Sequence, residues 1–102
     1  MICRLWHGWT SETAADAYET LLRTQVLPGI RRVAGYRGAY LLRAEVPEGV
    51  EFVTLTLFES MSAVRAFAGE DHEAAVVPAE ARKLLSRFDA RSRHYGVVVQ
   101  PE

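Results

Sequence analysis

A chain of 102 residues has room for one core and one compact domain, residues 1–102, but not for two. Its formal net charge of −1 gives no electrostatic grip on a polyanion, so no nucleic-acid partner is expected. Cys3 is the sole cysteine, which excludes an intrachain disulfide and a thiolate metal cage and fits a reducing cytoplasm; no apolar run reaches membrane-spanning length, so no membrane partner is expected either. The arginines, which greatly outnumber the single Lys83, are assigned no function as a class.

Ile2 to Trp9 alternates Ile2, Arg4, Trp6 and Gly8 against Cys3, Leu5, His7 and Trp9, which predicts a first strand. Thr10 or Ser11 then caps a helix whose apolar stripe is Ala14, Ala17, Tyr18, Leu21, Leu22 and Gln25, ended by Pro28-Gly29. Gly35 to Glu45 predicts a second strand, joined through Val46-Pro47-Glu48-Gly49-Val50 by a hairpin to Glu51–Phe58. That third strand has no glycine or proline and places Phe52, Thr54, Thr56 and Phe58 on one face, Val53, Leu55 and Leu57 on the other. Neither face suits water. Ser60 caps a second helix with Val64, Phe67 and Ala68 as its stripe and Gly69 as its stop. Glu70 to Glu73 predicts a short helical turn, Pro78 kinks it or opens a helix carrying Ala81, Leu84, Leu85 and Phe88, and Arg91 to Val99 is the last strand.

The order strand, helix, strand, strand, helix, strand predicts an α+β, ferredoxin-like fold: a four-stranded antiparallel sheet with the first and third strands in the middle. Its own helices cover one face. A second copy is expected to cover the other, so that a homodimer closes two sheets into an α/β barrel. Gly38 and Gly96, each within an edge strand, suit close approach or bulges that curve the sheet.

Trp6-His7-Gly8, Gly35-Tyr36-Arg37-Gly38, Phe52 to Ser60 running into Ala66-Phe67-Ala68-Gly69, and His94-Tyr95 together resemble the antibiotic biosynthesis monooxygenase superfamily over almost the whole chain. The resemblance implies a dimeric barrel with a ligand cavity in each subunit, between the sheet and its own helices. It also implies one of two activities, cofactor-free oxygenation of polycyclic phenols or oxidative degradation of haem. The first needs an apolar cavity, a base and exclusion of water, with molecular oxygen as co-substrate. The haem-degrading branch uses an asparagine in the first strand, a tryptophan ending the third and a histidine on the second helix; here Trp6 or His7, Phe58, and Phe67 or a displaced His72 stand there instead. The expectation is therefore no cofactor and no haem, although His72 alone could ligate iron.

On this reading His7 and His72 are the candidate catalytic bases, and Trp6, Trp9, Tyr36, Phe58 and Phe67 are candidate walls for a small apolar or aromatic ligand. Plainer roles compete: His7 as a buried histidine bonded to backbone, His72 as a loop residue, His94 as a dimer contact, the phenylalanines as core. Three histidines in three different elements lack metal spacing, so no metal is expected. The leading function is a small cofactor-independent monooxygenase acting on an aromatic or polyketide-like substrate. The alternatives are a non-catalytic ligand-binding or stress-associated barrel and an acid–base isomerase or cyclase, and the discriminator is a cavity of about 300 Å³ or more with a histidine nitrogen directed into it.

Overall fold

The structure, a computed structural model, describes residues 1–101. Its elements run β1 (Ile2–Thr10), α1 (Glu12–Leu21), a π-helical turn (Leu22–Val26), α2 (Leu27–Ile30), β2 (Tyr36–Val46), β3 (Gly49–Phe58), α3 (Met61–Ala68), α4 (Ala79–Leu84), β4 (Leu85–Phe88) and β5 (Arg93–Gly96). β1 and β3 form the centre of an antiparallel sheet, paired from Ile2↔Phe58 to Thr10↔Val50. β2 lies outside β3 across a two-residue turn, with Val46 opposite Gly49 and a bulge between Tyr36 and Gly38. The fold is thus the ferredoxin-like α+β arrangement that the sequence predicts.

The fourth strand position differs from expectation. Two short strands share it: β4 pairs with the Gly8–Thr10 end of β1, and β5 pairs with Ile2–Leu5. Leu85 and Phe88, expected on a helix, belong to β4, because the chain turns extended at Leu85 (ψ 132°) and takes the hydrogen-bonding edge that β1 leaves open. Beyond Gly96 the expected strand does not continue; Val98 and Val99 are exposed. Glu70 to Glu73 forms a turn rather than a helix, and Ala74 makes a bridge to Arg91.

The first helix starts where expected, with the Ser11 hydroxyl accepting the Ala14 N–H at 3.2 Å. It continues past the predicted stop to Ile30. In the π-helical turn the Leu27 N–H reaches back five residues to the Leu22 carbonyl. Pro28 then falls in the first turn of a fresh helical segment, where a missing N–H does no harm. The buried stripe is Ala15, Tyr18 and Leu22, with Ala17 and Gln25 exposed. Alanines on several sides make periodicity a weak guide here, and the bulk of Tyr18 fixes the inward face.

That face packs on Val50 and Phe52 of β3 and Ala81 of α4, the Tyr18 and Phe52 ring centroids lying 4.7 Å apart. Burial pushes the Tyr18 hydroxyl well above its ordinary pKa. A second cluster joins Ile30, Phe58, Ala63 and Val64. The opposite sheet face carries half-buried Cys3, Leu5, Val53, Leu55 and Leu57, with Tyr40, Leu42 and Tyr95 exposed. Among the described residues no helix is long and apolar enough to cross a membrane.

The hairpin leading into β3 turns on Gly49, whose φ is +135° and where a Cβ would lie 2.2 Å from the Thr10 carbonyl oxygen. Gly49→Ala is expected to lower unfolding free energy by about 2–4 kcal/mol in urea titrations. Gly29→Ala, where a Cβ meets nothing within 4 Å, is expected to raise it by about 0.5–1 kcal/mol; equal effects at the two positions would refute the backbone account.

Candidate functional site

The inward face of the two central strands builds a polar strip between the two core clusters. Cross-strand neighbours Arg4↔Thr56 and Trp6↔Thr54 lie side by side on it. Over them close Tyr18, Leu22, Val26 and Ile30 from the first helix, Phe67 of α3, Ala81 of α4 and the strap Gly69–Pro78. The space between them is about 50 Å³ and half open to the surface. It shares Val26, Ile30, Phe67, Val76 and Pro78 with an outer groove of about 340 Å³ that reaches Leu21, Gln25 and Glu80.

Arg4 is the charged group of this cavity, and it is 4 % exposed. Its Nη1 donates to the His72 carbonyl and to His94 Nε2 at 2.9 Å, and its Nη2 donates to the Ala74 carbonyl at 2.9 Å. The guanidinium carbon sits 5.5 Å from the Phe67 ring centroid. Burial lowers its pKa to about 10, which leaves it cationic at neutral pH. Because His94 Nε2 accepts from Arg4, its proton resides on Nδ1, a buried atom with no hydrogen-bond partner. Desolvation first, then the charge of Arg4, hold His94 below the usual histidine pKa, so it is neutral at physiological pH.

The strap begins at Gly69, whose φ of +89° ends α3. It is tied to the segment between β4 and β5 by backbone bonds from Ala75 N–H to the Ala90 carbonyl and from Ser92 N–H to the Glu73 carbonyl, at 2.9 and 2.6 Å. Arg91 adds ion pairs to Asp71 at 2.8 Å and Glu73 at 3.3 Å, and it holds the Asp71 carboxyl below its ordinary pKa. The strap also places the His72 ring 5.4 Å from that of His94. His72, Glu73 and His94 offer ligand atoms that lie within 4.8 Å of one another, a grouping that sequence spacing did not reveal. Guanidiniums already engage two of them: Arg4 donates to His94 and Arg91 to Glu73.

Among the expected site residues, Trp6 and Phe67 line the cavity. His72 adjoins it through its carbonyl on Arg4. Tyr36 and Phe58 belong to the second core cluster, where the Phe58 ring stacks on that of Phe67 at 5.7 Å. His7 and Trp9 lie on the opposite face of the sheet, since neighbours in an extended strand cannot both turn toward one cavity and Trp6 holds that direction. There His7 Nδ1 meets Glu51 at 2.9 Å, the His7 ring stacks on Trp9, and the Arg87 guanidinium lies 3.5 Å from the Trp9 centroid. No histidine side chain lines this space.

Sequence reasoning missed Arg4, Thr54, Thr56 and Ser92 as site residues. The signal for Arg4 was present in the alternation that sets it beside Trp6, but it was lost when the arginines were set aside together. Ser92 gave none, because its place depends on the break between β4 and β5.

No curated protein matches this chain. Among solved structures it is similar to the haem-degrading MhuD of Mycobacterium tuberculosis with two haems in its active site, at 17 % identity and a TM-score of 0.71, covering 100 % of both chains. A mutant of MhuD with two manganese protoporphyrin IX per active site gives 20 % identity and a TM-score of 0.72, covering 100 % of this chain and 99 % of that one. A monooxygenase of Streptomyces coelicolor in complex with nanaomycin D gives 18 % and 0.61, covering 99 % and 92 %. The porphyrin complexes overturn the expectation of no cofactor and no haem, because structurally similar MhuD holds porphyrin in its active site. At these identities the likeness establishes the fold. Residues 1–79 match the profile of antibiotic biosynthesis monooxygenases, so this chain belongs to the antibiotic biosynthesis monooxygenase family.

Proposed function

We propose that this protein is an oxygenase acting on a small planar aromatic ligand held between its sheet and its own helices. The supporting observation is the pair of aromatic side chains, Trp6 and Phe67, on the walls of a mostly apolar cavity that shares part of its wall with a groove of about 340 Å³. A space of about 50 Å³ would take only the leading edge of such a ligand, its body lying in the neighbouring groove. An electron-rich aromatic, once ionised, passes electrons to oxygen itself; the protein holds the ring, keeps water away and accepts a proton. Of the two candidate bases the proposal keeps His72, which is on the helix side of the sheet with its ring 5.4 Å from that of His94. His7, across the sheet, is left a structural role with Glu51.

The polar and aromatic lining would suit a porphyrin, with Arg4 for a propionate and Trp6 and Phe67 for the ring face; the imidazoles of His72 and His94 stand beyond Arg4, outside that lining. Bound haem would be both the redox centre and the molecule oxidised. A second reading, non-catalytic ligand binding, draws on the small cavity volume and the lack of a histidine in its lining. In either case the proposed unit is a cytoplasmic homodimer in which a second copy covers Val53, Leu55 and Leu57, which one chain leaves half-exposed.

Oxygen uptake with a panel of anthrones and quinols, run with and without added haemin, tests the activity. Wild type is expected to consume oxygen, and His72→Ala to slow it by about 100-fold. No uptake under either condition rejects the oxygenase and leaves the binding reading; unchanged uptake in His72→Ala rejects His72 as the base. Light scattering at micromolar concentration is expected to give twice the 11.4 kDa chain mass, and a monomeric mass rejects the dimer.

A further inference from the structure

The chain distributes its ion pairs unevenly. Arg23, Arg37, Arg43, Arg87 and Arg91 each hold a carboxylate at the surface, where water already screens the charge. The one buried arginine, Arg4, has none among the described residues. Its partners are two backbone carbonyls and a neutral imidazole, all uncharged. Removing a cation from water is costly unless an opposite charge sits close by. Glu73, whose carboxylate approaches the His94 ring, is taken by Arg91.

The donor count points the same way. A guanidinium carries five N–H groups. Nη1 spends both of its protons on His72 and His94, and Nη2 spends one on Ala74. The Nε–H and one Nη2 proton make no hydrogen bond to a described residue, which leaves two donors of a buried cation for an anionic ligand. Around Arg4 the cavity supplies two buried hydroxyl residues, Thr56 directly opposite on β3 and Ser92. The aromatic walls stand next to this polar end.

We propose that Arg4 is the anion-recognition residue of the cavity, and that its ligand carries a carboxylate or an ionised phenol attached to the aromatic body. This rests on reading the cavity as a ligand site and narrows the ligand to acidic aromatics. The neutral imidazole of His94 and the two strap carbonyls position the guanidinium without neutralising it, so the charge stays available to the ligand.

The test follows the Trp6 indole N–H and the Thr56 amide by ¹H–¹⁵N NMR during titration with 2-naphthoate and with its neutral counterpart 2-naphthamide. Wild type is expected to bind naphthoate at least tenfold more tightly, Arg4→Met to lose that preference and Arg4→Lys to keep part of it. Removing the guanidinium leaves the His72 and Ala74 carbonyls without this donor, so the amide spectrum of Arg4→Met is checked first for folding; if it is unfolded, the wild-type ratio and Arg4→Lys carry the test. Equal affinity for the two probes overturns the anion inference and leaves an apolar ligand cavity. Binding of neither probe at millimolar concentration overturns the ligand reading together with the inference built on it. A naphthoate preference whose shifts map to the separate groove at Arg23, Arg31 and Arg43 overturns the assignment to Arg4.

Discussion

The ladder between β1 and β3 decides which side chains face the cavity between the sheet and its helices. Paired from Ile2↔Phe58 to Thr10↔Val50, the two strands turn Arg4, Trp6, Thr54 and Thr56 toward the helices and His7, Trp9, Val53 and Leu55 away from them. A slip of one residue would exchange the two sets. The inward side chains oppose such a slip, because Phe52 and Phe58 are fully buried and Gly8, opposite Phe52, sits where a Cβ would press on Leu85 and Trp6 at 3.0 and 3.1 Å. Packing therefore fixes the register, and the register fixes the cavity's chemistry.

The divided fourth strand completes the site. Because β4 and β5 pair with opposite ends of β1, the chain between them is free to bond elsewhere and makes partners of groups far apart in sequence. The Trp6 indole N–H donates to the Asp89 carbonyl at 2.6 Å, and the Asp89 N–H returns to the His7 carbonyl at 3.0 Å. Arg91 and Ser92 hold the strap by its side chains and its backbone. Arg4 reaches the strap from beneath while touching β5 through His94, so a single guanidinium ties three parts of the chain together.

Much of the fold was legible because its signals are local. The apolar alternation of β3, the serine caps at Ser11 and Ser60 and the Gly69 stop each state a backbone preference within a few residues, and each is found in place. Signals that depend on partners were read less well. Pro28 looks like a terminator until the π-helical turn ahead of it shifts the hydrogen-bonding ladder, and Leu85 looks helical until an open edge of β1 claims it. The site was harder again. Strand alternation separates Trp6 from His7 but does not say which of them faces the helices, and the meeting of His72 with His94 depends on a strap whose path is set by tertiary contacts.

The π-helical turn also sets the shape of the cavity wall. Leu22, Val26 and Ile30 are spaced four apart, and in an ordinary α-helix side chains at that spacing creep steadily around the axis. The wider turn cancels part of that creep, and all three side chains line the cavity. Narrowing it to a regular helix would swivel the segment beyond Val26 and carry Ile30 out of line, so the girth of one helical turn serves as the calibration of the chamber beside it.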